Sequence, residues 1–179
     1  MSKIGRKPIQ LNNVTVEVKD NDVHYKGAKV SGVHTVPAPL HVVVEGKALK
    51  ITTDQRSSDV NRIWGLHRAL LANKLKGAGE GFVQQIKIEG LGYKGAVTGD
   101  KVVFSLGFSH KIDFPIPEGI TIETDRSGQL LTVKGASKEE VGLVCDQIRS
   151  LRPPEPYKGT GIRLVGEVIQ RKAGKAKSA

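Results

Sequence analysis

The chain has 179 residues, and its 28 lysines and arginines against 18 aspartates and glutamates give a formal net charge of +10 at pH 7. This excess favours an anionic partner, either nucleic acid or an anionic membrane surface. No apolar run approaches the roughly 18 residues of a membrane span, and the single cysteine excludes an internal disulfide framework. The first residues lack the apolar core of a secretory signal, so we expect a cytoplasmic protein.

The positive charge lies at the two ends of the chain. Lys3, Arg6 and Lys7 make the first seven residues cationic, whereas residues 8–148 are close to neutral. The cations of residues 149–179 are Arg149, Arg152, Lys158, Arg163, Arg171, Lys172, Lys175 and Lys177. Cationic ends favour contact with a polyanion, because neutralised phosphates release counterions. A solvated basic tail without a specific partner is the alternative.

The first half of the chain predicts several strands followed by one helix. Valines 14, 16 and 18 alternate with polar residues, which is the pattern of a half-buried strand, and residues 20–22 predict a turn into a second strand. The segment VPAPLHVVVE at 36–45 and the β pattern at 49–51 predict two more strands. The apolar positions with helical spacing are Val60, Ile63, Trp64, His67 and Leu71.

The second half repeats this order. The segment FPIPEGITIE at 114–123 matches VPAPLHVVVE at 36–45 in its Pro-x-Pro, its β pattern and its final glutamate. A short β pattern at 131–133 and helical spacing at 141–148 follow, as in the first half. The remaining strand patterns occupy 83–88, 93–97, 101–106 and 111–114. We interpret this order as an internal duplication.

The predicted fold class is α+β, with two duplicated units, each an antiparallel sheet packed by one helix, and a basic C-terminal extension. The glycine-rich segment at 76–82 separates the two units. The second helix must end by Pro153, because proline lacks the N–H group that a helix needs. The predicted domains are therefore residues 1–81, 82–152 and 153–179.

No pattern in the sequence predicts an active site. Residues 90–95, GLGYKG, match a dinucleotide fingerprint, but a hairpin pattern follows them instead of the helix that such a site requires. The five histidines show no metal-ligand spacing. Cys145 is predicted to be a buried, inert thiol, and His67, Trp64 and Phe104 are predicted core residues. We expect no enzymatic activity, no cofactor and no metal.

The segment after the second helix combines features that suit RNA. Prolines 153, 154 and 156 favour a stiff, extended path. Residues 157–161, YKGTG, supply an aromatic ring, a cation and two glycines that permit close approach to a sugar–phosphate edge or an unpaired base. Residues 171–179 carry four cations and no apolar face, so we expect them to be disordered without RNA.

These residues resemble a known family. The segment RPPEPYKGTGIRLVGEVIQRKAGKAK at 152–177 closely resembles the C-terminal signature of the bacterial-type large-subunit ribosomal proteins that are the sixth protein of that subunit. The opening MSKIGRKPI, the motif GYK at 92–94 and the motif LGFSH at 106–110 follow in family order, so the resemblance covers essentially the whole chain. The sequence departs from the family's usual lysine, proline and aromatic residue at Thr160, Lys111 and Leu164.

The resemblance implies a structural constituent of the large ribosomal subunit that binds large-subunit, 23S-type rRNA near the stalk base and the factor-binding region. The implied partners are this rRNA, neighbouring ribosomal proteins and nearby translation factors, but no membrane. The contacts carried over from the family are Tyr93, Lys94, Ser109, His110, Pro156, Tyr157, Lys158, Gly159, Gly161 and Arg163, with the tail cations Arg171, Lys172, Lys175 and Lys177. Lys3, Arg6, Lys7, Arg149 and Arg152 complete the predicted set through their charge. A freestanding basic RNA-binding or chaperone protein is the alternative.

Overall fold

The structure is a computed structural model, and it describes residues 2–55 and 57–174. The first half contains β1 (Ile9–Gln10), β2 (Val14–Lys19), β3 (Asp22–Gly27), β4 (Ser31–Thr35), β5 (Leu40–Glu45), β6 (Ala48–Thr53) and helix α1 (Ser58–Gly79). The second half contains β7 (Phe82–Glu89), β8 (Lys94–Thr98), β9 (Lys101–Ser105), β10 (Ile112–Pro115), β11 (Ile120–Thr124), β12 (Leu130–Gly135), helix α2 (Lys138–Leu151) and β13 (Gly161–Leu164).

The chain divides into two compact units. The first unit comprises Met1–Phe82 and Ala136–Lys138, and the second comprises Val83–Gly135 and Glu139–Ala179. The predicted α+β class is confirmed, because the described residues combine two helices with sheets of mainly antiparallel strands. The predicted domain boundaries after residues 81 and 152 stay predictions.

The two units share one strand order. In the first unit β2, β3 and β4 form an antiparallel meander, and a second sheet has the order β1-β6-β5. In the second unit β8, β9 and β10 form the corresponding meander, and β7-β12-β11 is the order that corresponds to β1-β6-β5. The repeated Pro-x-Pro segments come directly before the corresponding strands β5 and β11. The duplication found in the sequence is therefore a duplication of topology, with two sheets per unit where one was predicted.

The second unit has one additional strand, β13, which no pattern in the sequence predicts. β13 lies antiparallel to β7, with Gly161 opposite Glu89 and Leu164 opposite Ile86. Residues 161–163 were expected to continue an extended loop, and they are instead part of a sheet. The physical reason is that β7 would otherwise leave a free edge, and that Ile162 becomes fully buried when this edge is paired.

The core of the first unit lies between α1 and the sheets. The side chain of Ser57 caps α1 by accepting a hydrogen bond from the backbone N–H of Val60 at 3.1 Å. The helix packs against β2, β3 and β6 and buries Trp64 and Leu71 among its apolar residues. The indole Nε1 of Trp64 donates to the backbone oxygen of Ile51 at 2.8 Å, which satisfies its one polar atom. The prediction that Trp64 is a core residue is confirmed.

The core of the second unit includes the apolar face of α2. This face buries Val141, Val144, Cys145 and Ile148. Phe104 on β9 is also fully buried, as predicted. Burial raises the pKa of the Cys145 thiol to about 11, so that the thiolate is scarce at neutral pH. The prediction of a buried thiol is confirmed, and the raised pKa supports the prediction that it is inert.

A pair of histidines forms a polar contact inside the first unit. His34 on β4 is only 6% exposed, and its Nε2 lies 3.2 Å from Nδ1 of half-buried His67 on α1. The Lys74 ammonium lies 3.2 Å from the other ring nitrogen of His34, Nδ1. Because lysine can only donate, Nδ1 of His34 accepts and its Nε2 donates to His67. Burial, with the nearby charges of Lys74 and His67, lowers the pKa of His34 to about 4.

This lowered pKa predicts that acid destabilises the first unit. Above pH 6.5 His34 is neutral in both the folded and the unfolded chain, and between pH 6.5 and about 4 only the unfolded chain binds the proton. The free energy of unfolding should therefore fall by about 2 kcal/mol between pH 7 and pH 5 through this residue. Urea unfolding followed by fluorescence of the single tryptophan, which lies in this unit, measures the loss. His34→Gln should remove this loss of unfolding free energy between pH 7 and pH 5. If the variant lost as much stability as the original chain, the prediction would be contradicted.

Candidate nucleic-acid interface

The three N-terminal cations lie on the first unit. The chain before β1 is held against α1, because the Arg68 guanidinium donates to the backbone oxygens of Lys7 and Pro8 at 3.1 Å each. Lys3, Arg6 and Lys7 are exposed. Within the described residues none of the three side chains forms an ion pair. The segment before β1 is therefore held in place, and its three lysine and arginine side chains are exposed to solvent.

The chain between α2 and β13 forms a closed loop at residues 152–162, which we call the C-terminal loop. The backbone N–H of Ile162 donates to the backbone oxygen of Arg152 at 2.8 Å and closes the loop at its base. Inside it, the N–H of Glu155 donates to the backbone oxygen of Thr160 at 2.9 Å. The Thr160 hydroxyl donates in turn to the Glu155 carboxylate at 3.1 Å. The loop is rigid because of these hydrogen bonds as well as its prolines.

Gly159 and Gly161 are required by the loop itself. Gly161 has φ +139°, and a Cβ there would lie 2.6 Å from the backbone oxygen of Pro153. Gly159 has φ +75°, and a Cβ there would lie 2.9 Å from the guanidinium of Arg171. Both positions disfavour any residue with a Cβ. The close approach that was predicted for these glycines is thus already made to the protein's own chain.

The tip of the C-terminal loop is open to solvent. Pro156, Tyr157 and Lys158 are all exposed, and the Tyr157 side chain is 55% exposed. The described residues provide no carboxylate partner for the Lys158 ammonium. The tip therefore offers an aromatic ring next to a free cation, held on a rigid loop.

The first residues of the tail return to this loop. The backbone N–H of Lys172 donates to the backbone oxygen of Pro156 at 2.9 Å, and the Arg171 guanidinium lies over Gly159. These two residues thus contact the loop, and the expectation that residues 171–179 are disordered without RNA stays a prediction. Lys175 and Lys177 lie outside the described residues.

Two of the predicted RNA-binding arginines are paired inside the second unit. The Arg163 guanidinium on β13 donates to the Glu89 carboxylate at 2.6 Å and to the backbone oxygen of Glu167 at 3.1 Å. The Arg149 guanidinium on α2 donates to the Glu167 carboxylate at 2.5 Å. The other oxygen of that carboxylate accepts the backbone N–H of Leu164 at 3.1 Å. We call Glu89, Arg149, Arg163 and Glu167 the ion-pair network.

The ion-pair network holds β13 at its position in the sheet. Its carboxylates are largely covered, with the Glu89 and Glu167 side chains 24% and 26% exposed. Hydrogen bonds from Lys87 and Arg163 lower the pKa of Glu89, so this carboxyl stays charged at neutral pH. The charges of Arg149 and Arg163 are thus largely balanced within the protein.

A second cluster surrounds the Arg152 side chain, at the base of the C-terminal loop. Its guanidinium carbon lies 4.8 Å from the centre of the Phe108 ring and 5.9 Å from that of Tyr93. The His110 ring stacks on Phe108 with 6.1 Å between centres and 22° between planes. The Tyr93 ring lies close against Gly107, where a Cβ would come within 2.8 Å. We call Tyr93, Phe108, His110 and Arg152 the aromatic platform.

The aromatic platform brings together three of the predicted site residues with one that was missed. Tyr93, His110 and Arg152 were in the predicted set, whereas Phe108 was not. Phe108 is 41% exposed between Gly107 and Ser109, in the motif LGFSH. An exposed aromatic residue in a glycine turn of a basic protein is a signal that could have identified it. The neighbouring residues Lys94 and Ser109 are also exposed, and their side chains form no hydrogen bond in the described part of the chain.

Other kinds of site are not found in the described residues. No group of three or more His, Cys, Asp or Glu side chains there is placed to hold a metal ion. The glycine segment at 90–95 leads into strand β8 and not into a helix, as the sequence predicted, so a dinucleotide site of that kind is excluded. Neither described helix combines the length and the apolarity of a membrane crossing.

The fold and the site together define a class of protein. It is a duplicated α+β chain with a rigid, partly cationic loop and an aromatic platform. Its described part contains no metal or dinucleotide site of the kinds considered above. The family model "Ribosomal protein L6" matches residues 89–164, which contain both the platform and the loop. "Large ribosomal subunit protein uL6" of Syntrophomonas wolfei is 43% identical, covering 98% of each chain. The proteins of that name from Bdellovibrio bacteriovorus and Thermosynechococcus vestitus are 42% and 40% identical, again covering 98% of each chain. The chain belongs to the ribosomal protein L6 family.

The ion-pair network predicts that Arg163 acts in folding. Arg163→Ala removes the arginine partner of the largely covered Glu89 carboxylate and the donor to the backbone oxygen of Glu167, so the free energy of unfolding should fall by about 1–3 kcal/mol. Urea unfolding followed by far-UV circular dichroism measures this change. Arg171→Ala, at an exposed arginine without an ion pair in the described residues, is the matched control and should leave stability unchanged. If Arg163→Ala were fully stable and only bound RNA more weakly, Arg163 would be a direct RNA contact.

Proposed function

We propose that this chain binds large-subunit ribosomal RNA through its second unit, near the base of the stalk and the factor-binding region. Membership of the L6 family makes it a structural constituent of the large ribosomal subunit and not an enzyme. Neighbouring ribosomal proteins and, close by, translation factors are its further proposed partners. The observation that supports the RNA contact most directly is the exposed tip of the C-terminal loop, where Tyr157 and Lys158 stand on a closed, hydrogen-bonded frame.

The proposed mechanism is recognition of RNA shape and backbone. A rigid loop loses little conformational entropy on binding, so more of the interaction energy appears as affinity. The free cations Lys94, Arg152 and Lys158 and the tail cations neutralise phosphates, and Tyr157 packs against sugar or base. Ser109, His110 and Pro156 complete the contact surface of this unit. No bond is made or broken in this role.

Other members of the predicted set have a supporting role in this proposal. Arg149 and Arg163 hold β13 through the ion-pair network, and Gly159 and Gly161 permit the path of the loop. The first unit contributes Lys3, Arg6 and Lys7, and Arg68 on α1 holds the backbone of Lys7. These three cations are proposed to meet phosphates at a second place on the RNA.

The tail cations predict a steep salt dependence of RNA binding. If about four of them meet phosphates, they should contribute roughly −3 to the log–log slope with which the affinity for large-subunit rRNA falls as salt rises. Filter binding at several salt concentrations measures this slope for the full chain and for a chain that ends at residue 170. The truncation should weaken binding and make the slope shallower by roughly 3, while the thermal unfolding curve stays unchanged. A salt-insensitive affinity of the full chain would contradict the electrostatic mechanism.

The proposed location predicts where RNA lies relative to the loop tip. Cys145 is 2% exposed with a raised pKa, so a second, exposed cysteine can be labelled selectively. An iron chelate tethered at Lys158→Cys in assembled subunits should cleave the rRNA near the stalk base and the factor-binding region. The same chelate on Thr52→Cys, an exposed position of the first unit, is the control and should give a different pattern. Cleavage from Lys158→Cys only in other rRNA regions would overturn the location.

A further inference from the structure

The aromatic platform carries an inference that rests on the proposed RNA binding and deepens it. We propose that Phe108 and His110 stack on one unpaired nucleobase of the ribosomal RNA, while the Arg152 guanidinium binds the phosphate next to that base. This site is distinct from the tip of the C-terminal loop, and it recognises a base that is turned out of a helix.

The rings are placed for stacking and are not part of the core. Phe108 is 41% exposed, and its neighbours Gly107 and Ser109 are exposed as well. Its stacking partner His110 is also exposed, so both rings offer π surface to solvent. Burying such a surface under a flat base is favourable and does not depend strongly on which base it is.

The Arg152 side chain is held without a partner for its charge. Its guanidinium lies over the rings of Phe108 and Tyr93, yet no carboxylate pairs with it in the described part of the chain. Arg149, three residues earlier, is paired with Glu167 at 2.5 Å. A guanidinium packed on aromatic rings keeps the donors at its edge directed outward, in a geometry that suits the two oxygens of a phosphate.

The platform is rigid, which favours specific binding of one nucleotide. The Tyr93 ring fits between Gly90 and Gly107, where added Cβ atoms would lie 2.6 Å and 2.8 Å from ring atoms. The backbone of Arg152 is fixed by the hydrogen bond that closes the C-terminal loop, 2.8 Å to Ile162. The Arg152 guanidinium and the rings of the aromatic platform therefore keep one relative position. A base inside a duplex cannot contact both of them, because it is stacked between its neighbours.

The test compares variants of the full chain on purified large-subunit rRNA. Phe108→Ala should weaken binding about tenfold, because one base–aromatic stack is lost, whereas Phe108→Trp should retain the affinity. Leu143→Ala, at another exposed apolar residue, on α2, is the matched control and should bind as the original chain does. Affinity that is unchanged in Phe108→Ala overturns the proposal, whereas no RNA binding by any chain, including the original, overturns the proposed function itself.

The salt dependence separates base stacking from a purely supporting role of Phe108. If Phe108 stacks on a base, Phe108→Ala should leave the log–log salt slope unchanged, whereas Arg152→Ala should reduce it by about 0.7. If Phe108 only supports Arg152, both variants should reduce the slope equally, and that result overturns the stacking. Ultraviolet crosslinking of the original complex should give a nucleotide adduct on the peptide that contains Phe108 and His110. Adducts found only on other peptides also overturn it.

Discussion

The pairing of β13 with the edge of β7 is the interaction on which the rest of the site depends. This short strand of four residues is held by the ladder that runs from Gly161 opposite Glu89 to Leu164 opposite Ile86. Because α2 ends at Leu151 and β13 begins at Gly161, both ends of the C-terminal loop are attached to regular structure. The loop can therefore present its tip in one position, and the first residues of the tail can bind back to it.

The same arrangement divides the positive charge of this region between two roles. Arg149 in the last turn of α2 and Arg163 on β13 balance Glu167 and Glu89. Breaking such covered pairs is more costly than their net contribution to stability. Arg152 and Lys158, between them in the chain, have no such partner in the described residues. A count of charges along the chain does not distinguish these arginines and lysines. In the folded protein some of them pair with carboxylates, whereas others remain available to bind a ligand.

The sequence predicts the duplicated architecture well because its signals are local. Alternating valines, repeated Pro-x-Pro segments and helical spacing each depend on residues a few positions apart. The contacts that were missed join residues far apart in sequence. The platform needs Tyr93, Phe108 and Arg152 to meet, and the histidine pair joins His34 to His67 across 33 positions. β13 was missed because four residues with two glycines nearby give too short a pattern to distinguish a strand from a loop.

Only the second unit has this loop, because its edge strand is much longer than that of the first unit. In the first unit the edge strand β1 has two residues, which is too short to attract another strand. Its counterpart β7 has eight residues and would expose a long edge if nothing covered it. β13 covers this edge with the protein's own chain, and in doing so it anchors the loop and the ion-pair network. The strand that protects the sheet is therefore the same strand that creates the candidate RNA-binding surface, so this surface is available only when the second unit is fully folded.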